Sequence, residues 1–277
     1  MKNSNKYLAL YLGISFGCCW GVGLAFILFG EALTAVVGEL TLTHPLAIIA
    51  LYSPSIAGLI TYAAMGGMDA LKKILFKLIP QKQDLFWFPV LFVVFVLFAA
   101  SMHYGCVLFG ISLPKMTYSI PRMIIEALRN LIEETGLIGG VFGWIGFLLP
   151  FFQSKFKSQT KSALLTGFIF GLWVLPGYVI SSFGTSTAYP FYVIQLMAFI
   201  LFLSYVFNVT NGNLLLYIFT FWLMATGSRL KFYYFIPSVQ IMQISYFIIG
   251  TIVIHTVFKK KNITYTLQTF PDFLDNK

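Results

Sequence analysis

Ile132 to Pro150 reads IEETGLIGGVFGWIGFLLP, with two adjacent carboxylates, Glu133 and Glu134, at the mouth of a run that otherwise carries no charge. Two readings are open. Ionisable groups at membrane depth cost about 2.5–3.5 kcal/mol on insertion scales and usually face a bundle interior, which favours a functional pair. Alternatively the pair dresses a helix end, because Arg129 stands four residues before Glu133 and three after Glu126. Such i,i+3 and i,i+4 pairs need no catalytic role.

The surrounding chain decides the setting. It is 58% hydrophobic, 18% aromatic and only 10% charged, with a mean hydropathy of +0.85. A chain of that composition does not stay soluble as a monomer. Apolar runs near the roughly 20 residues a helix needs to cross a bilayer recur along it. They predict an all-α, polytopic membrane helix bundle with about eight spans, at 7–30, 46–67, 86–110, 122–151, 163–183, 188–207, 213–227 and 236–258. No soluble domain fits between them, so 1–277 reads as a single integral membrane domain. The longest polar connection, 68–85, is amphipathic and is expected along the membrane surface. The first apolar run, 24 residues from Tyr7, exceeds the 7–15 of a cleaved signal and reads as a retained span.

Charge gives an orientation. In an eight-span chain Lys2, Lys6, Lys72, Lys73, Lys77, Lys82, Lys155, Lys157, Lys161, Lys259, Lys260, Lys261 and Lys277 fall on one side. Lys115, Arg122, Arg229 and Lys231 fall on the other. Basic loops are retained in the cytoplasm, so both termini are expected there, in a cell membrane. The net charge of +9 is spread over several loops facing anionic lipid, whereas nucleic acid would want one dense basic patch. Membrane lipid is the expected partner and nucleic acid is not.

Cys18, Cys19 and Cys106 lie inside spans without CxxC spacing and read as core residues. His44, His103 and His255 share no metal-binding spacing. His103, one turn before Cys106, reads as a core histidine, and His255, beside Lys259, as an interface residue. Pro176 is expected to break the fifth span, and Gly136, Gly139, Gly140 and Gly143 to keep one face of the fourth small for close packing.

Several segments, in order, resemble the CPBP family of intramembrane endopeptidases, also called the CAAX prenyl endopeptidase, bacteriocin-processing or Abi family. They are ALYSPSIAGLI (50–60), LKKILFKL (71–78), GWIGFLLP (143–150), GFIFGLWVLPGY (167–178) and NVTNGNLLLYIFTFWLMATGS (208–228), within a resembling region of about 7–227. The resemblance implies a Glu-Glu pair, an Arg four positions after it and one His in each of two later spans. Together these would hold zinc and activate water for peptide hydrolysis.

This chain departs from that pattern. The two His positions are Val174 and Phe221, and an Asn position four residues later is Ala225. Neither Val nor Phe ligates a metal. If Glu133-Glu134 is the family pair, Ile138 occupies the Arg position; if GWIGFLLP sets the register, the pair falls on Gly140-Val141 and the Arg on Ile145. The second register fits the family spacing better. On one continuous helix it leaves Glu133 seven residues, or roughly 10 Å, from the site. Aromatics between Tyr217 and Phe235 would then fill the pocket where the family keeps a ligand.

The resemblance therefore implies a bacterial, catalytically impaired relative, without zinc or another cofactor, that binds or regulates a peptide or a membrane-protein partner in the manner of bacteriocin self-immunity proteins. An active endopeptidase using Glu133 or Glu134 as general base is the alternative. A small transporter is a third reading, weakened because no inverted repeat is visible.

Overall fold

The computed structural model describes residues 4–41, 43–112, 115, 118–181, 186–233 and 236–275, without the side chains of Ser4, Ile132 and Thr135. Lys2, Lys277, Tyr234 and Phe235 lie outside them. Among the described residues the chain is helical with no strand. In order come α1 (Ser4–Val37), α2 (Pro45–Phe76), α3 (Trp87–Leu108), α4 (Ile120–Glu133) and α5 (Thr135–Gly140). A π-helical stretch, Val141–Leu148, then leads into α6 (Leu149–Phe156). The chain ends with α7 (Gln159–Ile180), α8 (Tyr189–Val209), α9 (Leu214–Arg229) and α10 (Pro237–Lys260), and short 3-10 turns occupy Lys82–Phe86 and Asp272–Leu274.

Among the described residues seven stretches are long and apolar enough to cross a membrane, the run Ile120–Phe156 through α4, α5 and α6 counting as one. The eighth apolar helix, α9, has 16 residues. At about 1.5 Å per residue it falls short of a hydrocarbon core about 30 Å thick. The chain is thus an all-α, multi-pass membrane bundle. Its outside is apolar, with Phe92, Leu97, Ile249 and Ile252 exposed, while Ser15, Ser53, Thr61 and Gln153 are buried.

The predicted fourth span, 122–151, is not one helix. It breaks at Glu134, whose backbone is extended (φ −81°, ψ 95°), so α4 and α5 are separate. The ladder is disturbed again by Ser55 on α2, whose hydroxyl donates to Ile138 O at 2.6 Å and accepts from Phe142 N at 3.2 Å. Those two backbone groups would pair in a regular α-helix. A side chain inserted between them widens the turn, which explains the π geometry that follows.

Close approach makes the insertion possible. A Cβ at Gly139 would lie 2.7 Å from Leu51 O, and one at Gly143 would collide with Pro54 O, so this segment packs backbone to backbone on α2. Of the four glycines expected on one small face, Gly139 and Gly143 have that use, whereas Gly136 and Gly140 face Phe221 and Trp144 instead. Pro176, expected to break the fifth span, instead lies inside α7, which stays helical to Ile180. It packs against Gly23 of α1, where a Cβ would strike the proline ring.

The lysine-rich connections gather at one end of the bundle. Lys73 pairs with Asp275 at 2.6 Å, Lys77 Nζ donates to Asn211 O, and Phe270 N donates to Pro150 O. Tyr7, near the start of α1, meets the ring of Phe270 at the same end. The first and last described segments therefore share one face of the bundle.

His103 corrects another expectation: it is exposed, with its ring against Tyr104, because Met102 and Cys106 take the inward face of α3. His255 is exposed and its Nδ1 lies 3.1 Å from Tyr205 Oη, while His44 caps α2 by accepting from Leu46 N. All three cysteines are free thiols, with Cys19 and Cys106 buried.

Candidate functional site

The site is built around α4, whose sequence is inside out for a soluble protein. Ile120, Ile124, Ile125 and Leu128 are exposed, whereas Glu126 and Asn130 are buried. An apolar stripe turned outward and a polar stripe turned inward suit a helix flanked by lipid on one side and by a polar cluster on the other.

That cluster is an alternating network of two arginines and two glutamates. Arg129 spans Glu126 (3.3 Å) and Glu133 (2.8 Å), as the spacing predicted. Arg229, the last residue of α9, bonds Glu126 at 2.8 Å and Glu133 at 2.6 Å from the other side. Its Nη1 also reaches Asn130 Oδ1 at 3.4 Å, and Asn130 Nδ2 donates to Thr226. Two positive and two negative charges cancel, so Glu133 has a structural occupation. Arg229 was legible from the sequence only as a loop charge. The signal that could have found it is a single Arg closing an apolar helix in a chain whose carboxylates cluster in 126–134.

Glu134 is placed differently. It sits in the helix break, where its Oε1 accepts from Gly136 N at 3.3 Å and caps α5, and it makes no ion pair within 4 Å among the described residues. Glu134 lines a partly open cavity of about 430 Å³ bordered by α3, α4, α8, α9 and α10. Phe98, Phe199, Phe221 and Phe247 supply an aromatic wall, and Gln195, Gln243 and Arg229 supply polar groups. Gln195 Nε2 donates to Gln243 Oε1, and Gln195 Oε1 has no hydrogen-bond partner among the described residues. A pocket of this size, mostly apolar with a few convergent polar groups, fits an amphipathic ligand.

Of the positions singled out by sequence, Glu134, Phe221 and Ala225 line the cavity. The helix break brings them together. A Cβ at Gly136 would stand 2.9 Å from the Phe221 ring and 3.3 Å from Glu134 Oε1. The premise of one continuous helix from position 133 to Gly140 does not hold, since the extended Glu134 interrupts it. Gly140 faces Trp144 and Tyr217, one turn along α9 from Phe221. Val141 and Ile145 are fully buried core residues, and Val174 packs against the same core without lining the cavity. Tyr233 contributes to the cavity, as expected of the aromatic stretch.

A zinc ion does not fit this donor set. Phe221 holds its ring between Phe199 and Tyr217, at 5.7 and 5.8 Å between centroids, so aromatic carbon stands where the resemblance would imply a ligand. No group of three or more His, Cys, Asp or Glu side chains is arranged to hold a metal among the described residues. No family model and no curated protein matches the chain.

Proposed function

We propose that this chain is a cell-membrane binding protein of the CPBP type, in a bacterial membrane with its lysine-rich face cytoplasmic, that has given up zinc hydrolysis. It engages a peptide segment or a membrane-protein partner in the cavity beside Glu134, as self-immunity proteins for peptide bacteriocins do. The observation that carries this reading is the cavity itself: a phenylalanine wall for apolar side chains, and Gln195, Gln243 and Glu134 for backbone amides. Apolar area binds, and the few polar groups orient.

The test is saturable binding of a fluorescent apolar peptide to the purified protein in nanodiscs. Phe221→Arg fills the cavity with a charge and should abolish binding while the elution profile is unchanged. Absence of saturable binding by the unaltered protein sinks the proposal.

A second reading rests on one specific observation. Glu134 lies in the cavity rather than in the arginine network, and a carboxylate there is within reach of a bound peptide's water. On that reading the protein hydrolyses the peptide and Glu134→Gln stops turnover without weakening binding. Intact peptide after prolonged incubation with the unaltered protein removes it.

A further inference from the structure

At the other end of α9, Asp84 presents an unexplained group. The residue is 2% exposed, and its Oδ2 accepts from Gln81 N at 2.9 Å and from Asn213 Nδ2 at 2.6 Å. Those bonds hold the Lys82–Phe86 turn to the residue that caps α9, which accounts for one oxygen. Oδ1 is buried with no hydrogen-bond partner among the described residues. An orphaned buried carboxylate oxygen carries the full desolvation penalty unless something donates to it.

Asp84 forms part of the wall of a cleft of about 560 Å³, within the range of small-molecule sites. The other charged residues lining it are Lys73, Lys77 and Asp275. Two ammonium groups and two carboxylates are thus arranged round one space. Phe76 and Ile79 line the same cleft and are 65% and 58% exposed, so one side of it is apolar and open. A bare metal cation is a poor match, because two lysines oppose it and no cluster of three acidic, His or Cys ligands gathers among the described residues. A zwitterion is a good one.

We propose that this cleft is a headgroup site for an aminophospholipid, whose primary ammonium donates to Asp84 Oδ1 while its phosphodiester meets Lys73 and Lys77. An ammonium has three donors, so Lys73 can hold Asp275 at 2.6 Å and still donate to a phosphate oxygen. The acyl chains leave over Phe76 and Ile79. Lys72 and Lys82 extend the basic collar that draws phosphate to this end of the bundle. The site is independent of the cavity beside Glu134.

The test compares phosphatidylethanolamine with phosphatidylcholine of identical chains, added to the full-length protein in mixed micelles and followed by thermal unfolding. Phosphatidylcholine keeps the phosphate and positive charge but has no N–H. The expected result is stabilisation by phosphatidylethanolamine at roughly tenfold lower concentration. Asp84→Asn should erase that preference. Lys73→Gln, an exposed position that can be altered without touching the Asp84 bonds, should raise the phosphatidylethanolamine concentration required. Equal response of the unaltered protein to both lipids overturns the proposal, as does a preference that survives Asp84→Asn. Should that variant not fold, an unchanged requirement in Lys73→Gln overturns it instead. Free phosphoethanolamine acting at the same concentration as the lipid would overturn the lipid as occupant and leave a soluble aminophosphate in its place.

Discussion

Arg229 Nη1 lies 2.6 Å from Glu133 Oε2, although 229 − 133 = 96 residues of chain separate them. This contact, with the parallel one to Glu126, turns the charged stripe of α4 towards α9 and leaves its isoleucines facing outward. It also occupies Glu133, so that Glu134 is the carboxylate left to the cavity.

Arg229→Gln should therefore be the most damaging single change in the network. It leaves Glu126, whose side chain is 9% exposed, to share the more exposed Arg129 at 3.3 Å with a second carboxylate. Breaking one partner of a largely buried pair costs far more than the pair itself contributes. Arg129 is 55% exposed, and Arg129→Gln should lower the melting temperature much less. Melting curves of both purified variants check the order, and equal losses would contradict it.

Ser55→Ala should remove the cause of the π-helical stretch. Either Phe142 N pairs with Ile138 O and the following segment rotates, or both groups stay buried and unpaired at about 1–3 kcal/mol. Both outcomes disturb Trp144, which stacks on Phe170 at 4.8 Å. Tryptophan fluorescence and the unfolding midpoint should shift together, and an unaltered spectrum would show that the hydroxyl is dispensable.

Lys77 provides a pH dependence. Burial pushes its ammonium down from 10.5 to about 8, with Asp275 and Asp84 opposing the shift. Below pH 8 the folded and unfolded chains both hold the proton, and the cost of burying the charge is fully present. Between about 8 and 10.5 only the unfolded chain keeps it, so this residue makes the protein more stable as pH rises through that window. Lys77→Gln should flatten the increase in melting temperature between pH 7.5 and 9.5 relative to the unaltered protein. An identical slope in both would contradict the assignment.

Orientation follows from the lysine face. A reporter active only outside the cell should be silent when fused at Ser158, between α6 and α7, and active at Gly110, after α3. The reverse pattern would invert the topology proposed for the chain.

Amino-acid composition and the length of the apolar runs were enough to determine an all-helical membrane bundle, because bilayer crossing is a local property: each span must satisfy its own backbone and match a fixed thickness. The Arg129 pairs were legible for the same reason, since residues three and four apart on a helix are neighbours wherever the helix lies. The close packing of Gly139 and Gly143 was legible from the glycine spacing, though not their partner on α2 nor the turning of Gly136 and Gly140 away from it.

The break at Glu134 and the π-helical stretch go with tertiary contacts, the first beside the Glu133–Arg229 ion pair and the second beside a serine 83 residues away from Ile138. Residue spacing alone treats 122–151 as one helix and does not show the break beside which Glu134 and Phe221 meet Gly136. The orphaned oxygen of Asp84 was equally out of sight, because an unmet hydrogen bond is defined only by what surrounds it. Periodicity reports which face of a helix is apolar, whereas the partner of each polar group is a long-range fact that only packing in three dimensions supplies.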